Sequence, residues 1–131
     1  MKLAQPDRRL VIDATCPWQI AVELEARGFV DATSPHQLGD QTIKDPPLLT
    51  LVHDLERAVL VTYDQKMAVE HRGILDHFGT TLAVIDKKAW PAHLTLEQYW
   101  RDVIHHHAHR FATQAEGSRF KYNRRSRSPL K

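Results

Sequence analysis

The chain has 131 residues, 42% of them hydrophobic, a single cysteine and a formal net charge of +2. That length suits one domain with an ordinary core and argues against a second. The lone Cys16 excludes an internal disulfide, no apolar run approaches the roughly 20 residues of a membrane-spanning helix, and Met1 to Arg9 lacks the apolar stretch of a secretory signal, so a reducing cytoplasm is the expected setting.

Arg9 to Ala14 reads as a buried strand. Pro17 suits the first turn of a helix running to Arg27, with Ile20, Ala21 and Leu24 facing inward and Gly28 as its left-handed stop. Phe29 to Thr33 is a short second strand, and the polar stretch Ser34 to Lys44 a surface loop. Asp45-Pro46-Pro47 opens the next helix, whose Leu48, Leu51, Val52 and Leu55 fall at i, i+3, i+4 and i+7.

Ala58 to Tyr63 forms the third strand. Met67, His71, Ile74, Leu75 and Phe78 follow at helical spacing, with Gly73 weakening or breaking that helix near its middle. Thr80 to Ile85 is the fourth strand. Thr95-Leu96-Glu97-Gln98 has the form of a capping box, and Leu96, Tyr99, Trp100, Val103 and Ile104 make one face of the helix it starts.

The charge is uneven. Residues 1 to 109 hold 11 Lys and Arg against 15 Asp and Glu, whereas 110 to 131 hold 7 against 1. From about Gly117 the apolar content is too low to pack, so residues 1–112 are expected to fold and 113–131 to form a flexible basic arm suited to a polyanion. Alternating strands and helices of these lengths imply parallel crossovers and an α/β sandwich.

Three of the strands run straight into an aspartate: Asp13, Asp64 and Asp86. In an open parallel sheet ligands gather beyond the carboxyl ends of the strands, and carboxylates delivered there suit a hard cation such as Mg²⁺ or Mn²⁺. Aspartate also suits the plain turn after a strand, most of all at Asp86, which Lys87 and Lys88 follow. Asp45 is explained by helix capping alone, yet a capping carboxylate can also face a cation.

Thr62, on the same strand face as Asp64, can hydrogen-bond a carboxylate or a phosphate or simply pack. Lys44 and Lys66 stand beside the acids, where an ammonium contacts phosphate or water. In the basic arm, Arg119, Lys121, Arg124, Arg125 and Arg127 offer phosphate contacts, with Phe120 and Tyr122 as stacking rings. His105 and His109 lie one helical turn apart but lack a third ligand of obvious spacing, so a solvated or partner-facing cluster is the expectation.

With these residues in place the chain resembles the PIN-like nucleases, in particular the compact branch related to VapC-type toxins, over about Arg9 to Asp86. Val11-Ile12-Asp13, the helix ending Leu24-Glu25-Ala26-Arg27-Gly28, Lys44-Asp45-Pro46-Pro47-Leu48-Leu49 and Val59-Leu60-Val61-Thr62-Tyr63-Asp64 carry the resemblance. It implies a three-layer α/β/α sandwich on a mostly parallel four-stranded sheet, with Asp13, Asp45 and Asp64 holding Mg²⁺ or Mn²⁺ for hydrolysis of RNA, an inhibitor (antitoxin) protein as a partner, and a homodimer as the oligomeric expectation. Such nucleases often carry a further acid two residues after the one matching Asp64, and here that residue is Lys66. Glu70 or Asp86 as a replacement, a single-metal site, or RNA binding without cleavage would each accommodate the departure. A receiver-type phosphotransfer domain also ends strands in Mg²⁺-binding aspartates, but usually shows a pair of acids after its first strand, where this chain has one.

Overall fold

The structure, a computed structural model, describes residues 9–13, 19–28, 33, 45–55, 57–64 and 66–130. Four parallel strands, β1 (Arg9–Ile12), β2 (Ala58–Thr62), β3 (Thr81–Ile85) and β4 (Arg119–Tyr122), lie side by side in that order, and β5 (Arg127–Pro129) closes the sheet antiparallel to β4. Thr33 makes an isolated parallel bridge to Val11 on the outer side of β1; the other residues of the expected second strand, and the Ser34 to Lys44 loop, lie outside the described residues.

Helices cover both faces of the sheet. Alternation along each strand sends Leu10, Ile12, Val59, Val61, Ala83 and Ile85 to one face, where they pack on α1 (Gln19–Ala26) and α5 (Leu96–Thr113). Val11, Leu60, Leu82 and Val84 go to the other face, against Leu49 and Val52 of α2 (Asp45–Asp54), Met67 and Ala68 of α3 (Met67–Glu70) and Leu75 of α4 (Arg72–Phe78). Strands buried on both faces explain why β2 and β3 are continuous apolar runs, with every residue buried.

Punctuation follows the sequence closely. Gly28 and Gly79 take left-handed backbone after α1 and α4, with φ of 97° and 61°. The helical run after β2 divides at His71, two residues before Gly73, into α3 and α4. Thr95 accepts a hydrogen bond from Gln98 N while Gln98 Oε1 accepts from Thr95 N, which completes the capping box of α5.

The C-terminal segment corrects the expectation of a flexible arm and a four-stranded sheet. β4 pairs with β3 over four residues and β5 folds back on it, giving five strands. Apolar content underestimates this segment because polar bonds hold it. Tyr122 is fully buried and its hydroxyl donates to Gln114 Oε1 at 2.7 Å, while Gln114 Nε2 donates to the Leu82 and Ser118 carbonyls at 2.8 and 3.0 Å. Burial raises the Tyr122 pKa above its ordinary value, against an opposing hydrogen bond from Arg127. Among the described residues no helix is long and apolar enough to cross a membrane.

Candidate functional site

The register of β1 against β2 places Ile12 opposite Val61, so Asp13 and Thr62 occupy the next rung, at the carboxyl ends of both strands. Asp13 N donates to Val61 O at 2.9 Å and continues the ladder by one bond. Its side chain is 4% exposed, and Thr62 beside it is fully buried. The Thr62 hydroxyl donates to Asp13 Oδ2 at 2.6 Å and accepts from Asp64 N at 3.0 Å. One buried hydroxyl therefore fixes both the carboxylate at the end of β1 and the backbone from which the next carboxylate springs.

Asp64 is half-buried, and its Oδ1 accepts from Lys66 N at 3.0 Å. The Lys66 side chain is exposed beyond it. α2 leads into β2 and packs on the face that carries Thr62, so its first residue, Asp45, starts toward the same rim. The side chain of Asp45, and Lys44 as a whole, lie outside the described residues. Among the described residues no three His, Cys, Asp or Glu side chains are arranged as a metal-binding group. The donor set of Asp13 and Asp64 is nonetheless of the right kind for Mg²⁺ or Mn²⁺, being hard carboxylate oxygens on adjacent strand ends.

Asp86 ends β3 one strand further along. Its Oδ1 accepts from Lys88 N at 3.0 Å and caps a short 3-10 turn, Lys87–Ala89, while its backbone N donates to Tyr122 O at 2.7 Å. Tyr99 OH donates to the Asp86 carbonyl at 2.6 Å, and burial, with the Asp86 carboxylate adding to it, pushes that phenol up to about 12. Asp86 thus serves as a turn residue through the same kind of bond that Asp64 makes with Lys66 N, and differs from Asp64 in standing one strand further from Asp13. Lys87 lies over the Tyr63 ring, 5.5 Å from its centroid, and Glu70 ends α3 exposed.

The basic residues of the C-terminal segment do not act as a group. Arg119 stands at the amino end of β4, the end of the sheet away from the acids, and pairs with Asp76 at 2.7 Å. Lys121 is half-buried opposite Val84. Arg127 lies over the Phe120 ring at 4.3 Å and donates to Tyr122 OH at 3.3 Å, and Arg124 pairs with Asp102 at 2.6 Å. Arg125 is exposed in the β4–β5 turn, at the same end of the sheet as Asp13 and Asp64.

Of the α5 histidines, His105 and His107 have separate structural roles, whereas His106 and His109 are exposed. His105 Nε2 lies 2.9 Å from Glu23 Oε1 and its Nδ1 faces the Arg27 guanidinium, so both ring nitrogens are engaged. Glu23 also accepts from Arg101, which is the main cause holding its carboxyl below the usual range, with His105 contributing in the same direction against burial. His107 is fully buried between Asn123 O and Arg110.

A cavity of about 320 Å³, lined by Val52, His53, Arg57, Phe78, Thr80 and Glu116 among others, opens at the amino ends of β2 and β3, away from the acids. Sequence reading passes over Asn123, which occupies at the end of β4 the place that aspartates hold after β2 and β3; its position directly after an apolar-basic alternation was the available signal. No family model, curated protein or solved structure matches the chain.

Proposed function

We propose that the chain is a PIN-like, divalent-metal-dependent ribonuclease whose site is built on Asp13, Thr62 and Asp64, with Asp45 as a further ligand. The observation that carries this reading is the pair of bonds at Thr62, whose buried hydroxyl donates to the buried Asp13 carboxylate and accepts from the backbone N–H of half-buried Asp64, at the carboxyl ends of adjacent parallel strands. Asp13 and Asp64 stand at the ends of adjacent strands, and hard carboxylate oxygens delivered there suit a divalent cation such as Mg²⁺ or Mn²⁺.

In this reading Asp13 and Asp64 hold the ion, and Thr62 keeps Asp13 in its rotamer through the 2.6 Å bond. When bound there, Mg²⁺ or Mn²⁺ would make water more acidic and would stabilise negative charge at the phosphate. The first strand end excludes bulk water, since Asp13 is almost wholly buried, whereas half-buried Asp64 faces the approaching substrate. The water oxygen would bond to phosphorus as one phosphorus–oxygen ester bond breaks, the departing ribose oxygen taking up a proton from solvent, with no covalent intermediate on the protein.

A second reading, RNA binding without hydrolysis, draws on Lys66 and on the Asp64 oxygen already bonded to its backbone N–H. One experiment separates the two. A mixed RNA pool is incubated with wild type, Asp13→Asn and Asp64→Asn in Mn²⁺, Mg²⁺ or EDTA. Metal-dependent cleavage by wild type that falls at least ~100-fold in both folded variants is expected, and undiminished cleavage in both defeats the assignment. RNA binding without cleavage by the wild type supports the second reading.

A further inference from the structure

Strands β2, β3 and β4 end in one repeated device. Asp64, Asp86 and Asn123 each turn a side-chain oxygen onto the backbone N–H two residues on: Lys66 N to Asp64 Oδ1 at 3.0 Å, Lys88 N to Asp86 Oδ1 at 3.0 Å and Arg125 N to Asn123 Oδ1 at 2.9 Å. The donating residue is a cation each time. All three side chains are exposed, and none makes an ion pair among the described residues.

Because β2, β3 and β4 are adjacent and parallel, these turns stand side by side at one rim of the sheet. Adjacent strands are about 4.8 Å apart, so the backbone turns span roughly 10 Å, starting at Asp64. The bond from Asp86 N to Tyr122 O ties the second turn to the third. Two residues after Lys88, the Trp90 ring is 40% exposed and its Nε1 is held by Leu94 O at 2.8 Å. Exposed cations on three neighbouring turns offer a chain of phosphates one contact after another along the rim.

We propose that Lys66, Lys88 and Arg125 form a phosphate track for a single-stranded RNA leaving the acid site toward β4, with Trp90 as a stacking platform for one base. The location of the reacting phosphate at Asp13 and Asp64 rests on the ribonuclease reading; the track itself rests on the row of cations. A fixed aromatic face beside a line of cations suits unpaired bases, whose rings are available to stack.

The test measures binding of a fluorescein-labelled 15-residue oligouridylate by anisotropy in EDTA over a series of KCl concentrations. The variant is the triple substitution Lys66→Gln, Lys88→Gln and Arg125→Gln, which keeps every backbone donor of the turns. Each phosphate contact on a single strand contributes about 0.7 to the slope of log affinity against log salt, so the triple variant is expected to flatten that slope by about 2 and to bind ~10-fold or more weakly. Arg57→Asn, at the amino end of β2 where φ is 55°, removes one charge from the opposite rim and is expected to leave the slope unchanged.

An unchanged slope in the folded triple variant overturns the track, as does equal binding of a duplex of the same length with an equal slope change. A slope change seen with polyglutamate and absent with RNA also overturns it, in favour of an acidic polypeptide. Wild-type binding with the expected slope but no cleavage in Mn²⁺ supports the track and defeats the ribonuclease reading alone.

Discussion

Thr62 is the residue on which the acid site turns. Its single proton goes to Asp13 and its lone pair receives Asp64 N, so replacing it removes two bonds at a fully buried point. Thr62→Val keeps the side-chain shape but leaves buried polar atoms with fewer partners, a change expected to cost about 1–3 kcal/mol of stability. Loosening a group that orients a metal ligand typically costs about 10–100-fold in activity, and that loss is the expected outcome for metal-dependent cleavage. Thr62→Ser retains the hydroxyl and should retain most activity. Cleavage rates with urea midpoints on the same preparations check both statements, and a fully active valine variant would remove Thr62 from the site. The aspartates and this threonine are legible in the sequence because a two-residue period puts Thr62 and Asp64 on one strand face. The rung that joins Thr62 to Asp13 is not legible, since it depends on the register of strands 49 residues apart.

At the scale of elements, the first three strands and α2, α4 and α5 follow directly from apolar runs, helical spacing, glycine stops and the capping box. β4 and β5 do not. In Arg119-Phe120-Lys121-Tyr122 the alternation of a strand is present, but basic residues fill the positions that face α4, and only Tyr122 is fully buried. What holds the strand is a set of long-range polar bonds, with Gln114 of the α5–β4 connection reaching the Leu82 carbonyl at 2.8 Å and receiving the Tyr122 hydroxyl at 2.7 Å. Composition does not register such bonds. Tyr122→Phe leaves Gln114 Oε1 buried without this donor and is expected to lower stability by about 1–3 kcal/mol, whereas a disordered arm would show no effect. Equilibrium urea unfolding decides between them, and a midpoint equal to wild type would return the segment to the status of a flexible arm.

For the molecule as a whole, His107 joins the α5 layer to the β4–β5 half of the sheet. With its Nε2 at 2.7 Å from Asn123 O, that nitrogen carries the proton, and Nδ1 accepts from Arg110 at 3.0 Å. Both ring nitrogens are therefore satisfied in the neutral form. Burial is the largest cause lowering the His107 pKa; the bond to Asn123 O opposes it, and the charges of His106, Arg110 and Arg127 add to it. In the unfolded chain an imidazole titrates near about 6.5. The unfolded state accordingly binds the proton more readily, so stability from neutral His107 is fully present above about pH 6.5 and is lost as pH falls from there through the lower folded value. The joint that would open also positions Asn123, whose side chain builds the last turn of the basic rim. His107→Gln can donate to the Asn123 carbonyl and accept from Arg110 without titrating. Wild type is expected to lose stability between pH 7.5 and 5.5 by more than His107→Gln does, the other histidines contributing equally to both chains. Urea unfolding at the two pH values measures that difference, and an equal loss in both proteins would show that His107 does not govern the acid limit of this fold.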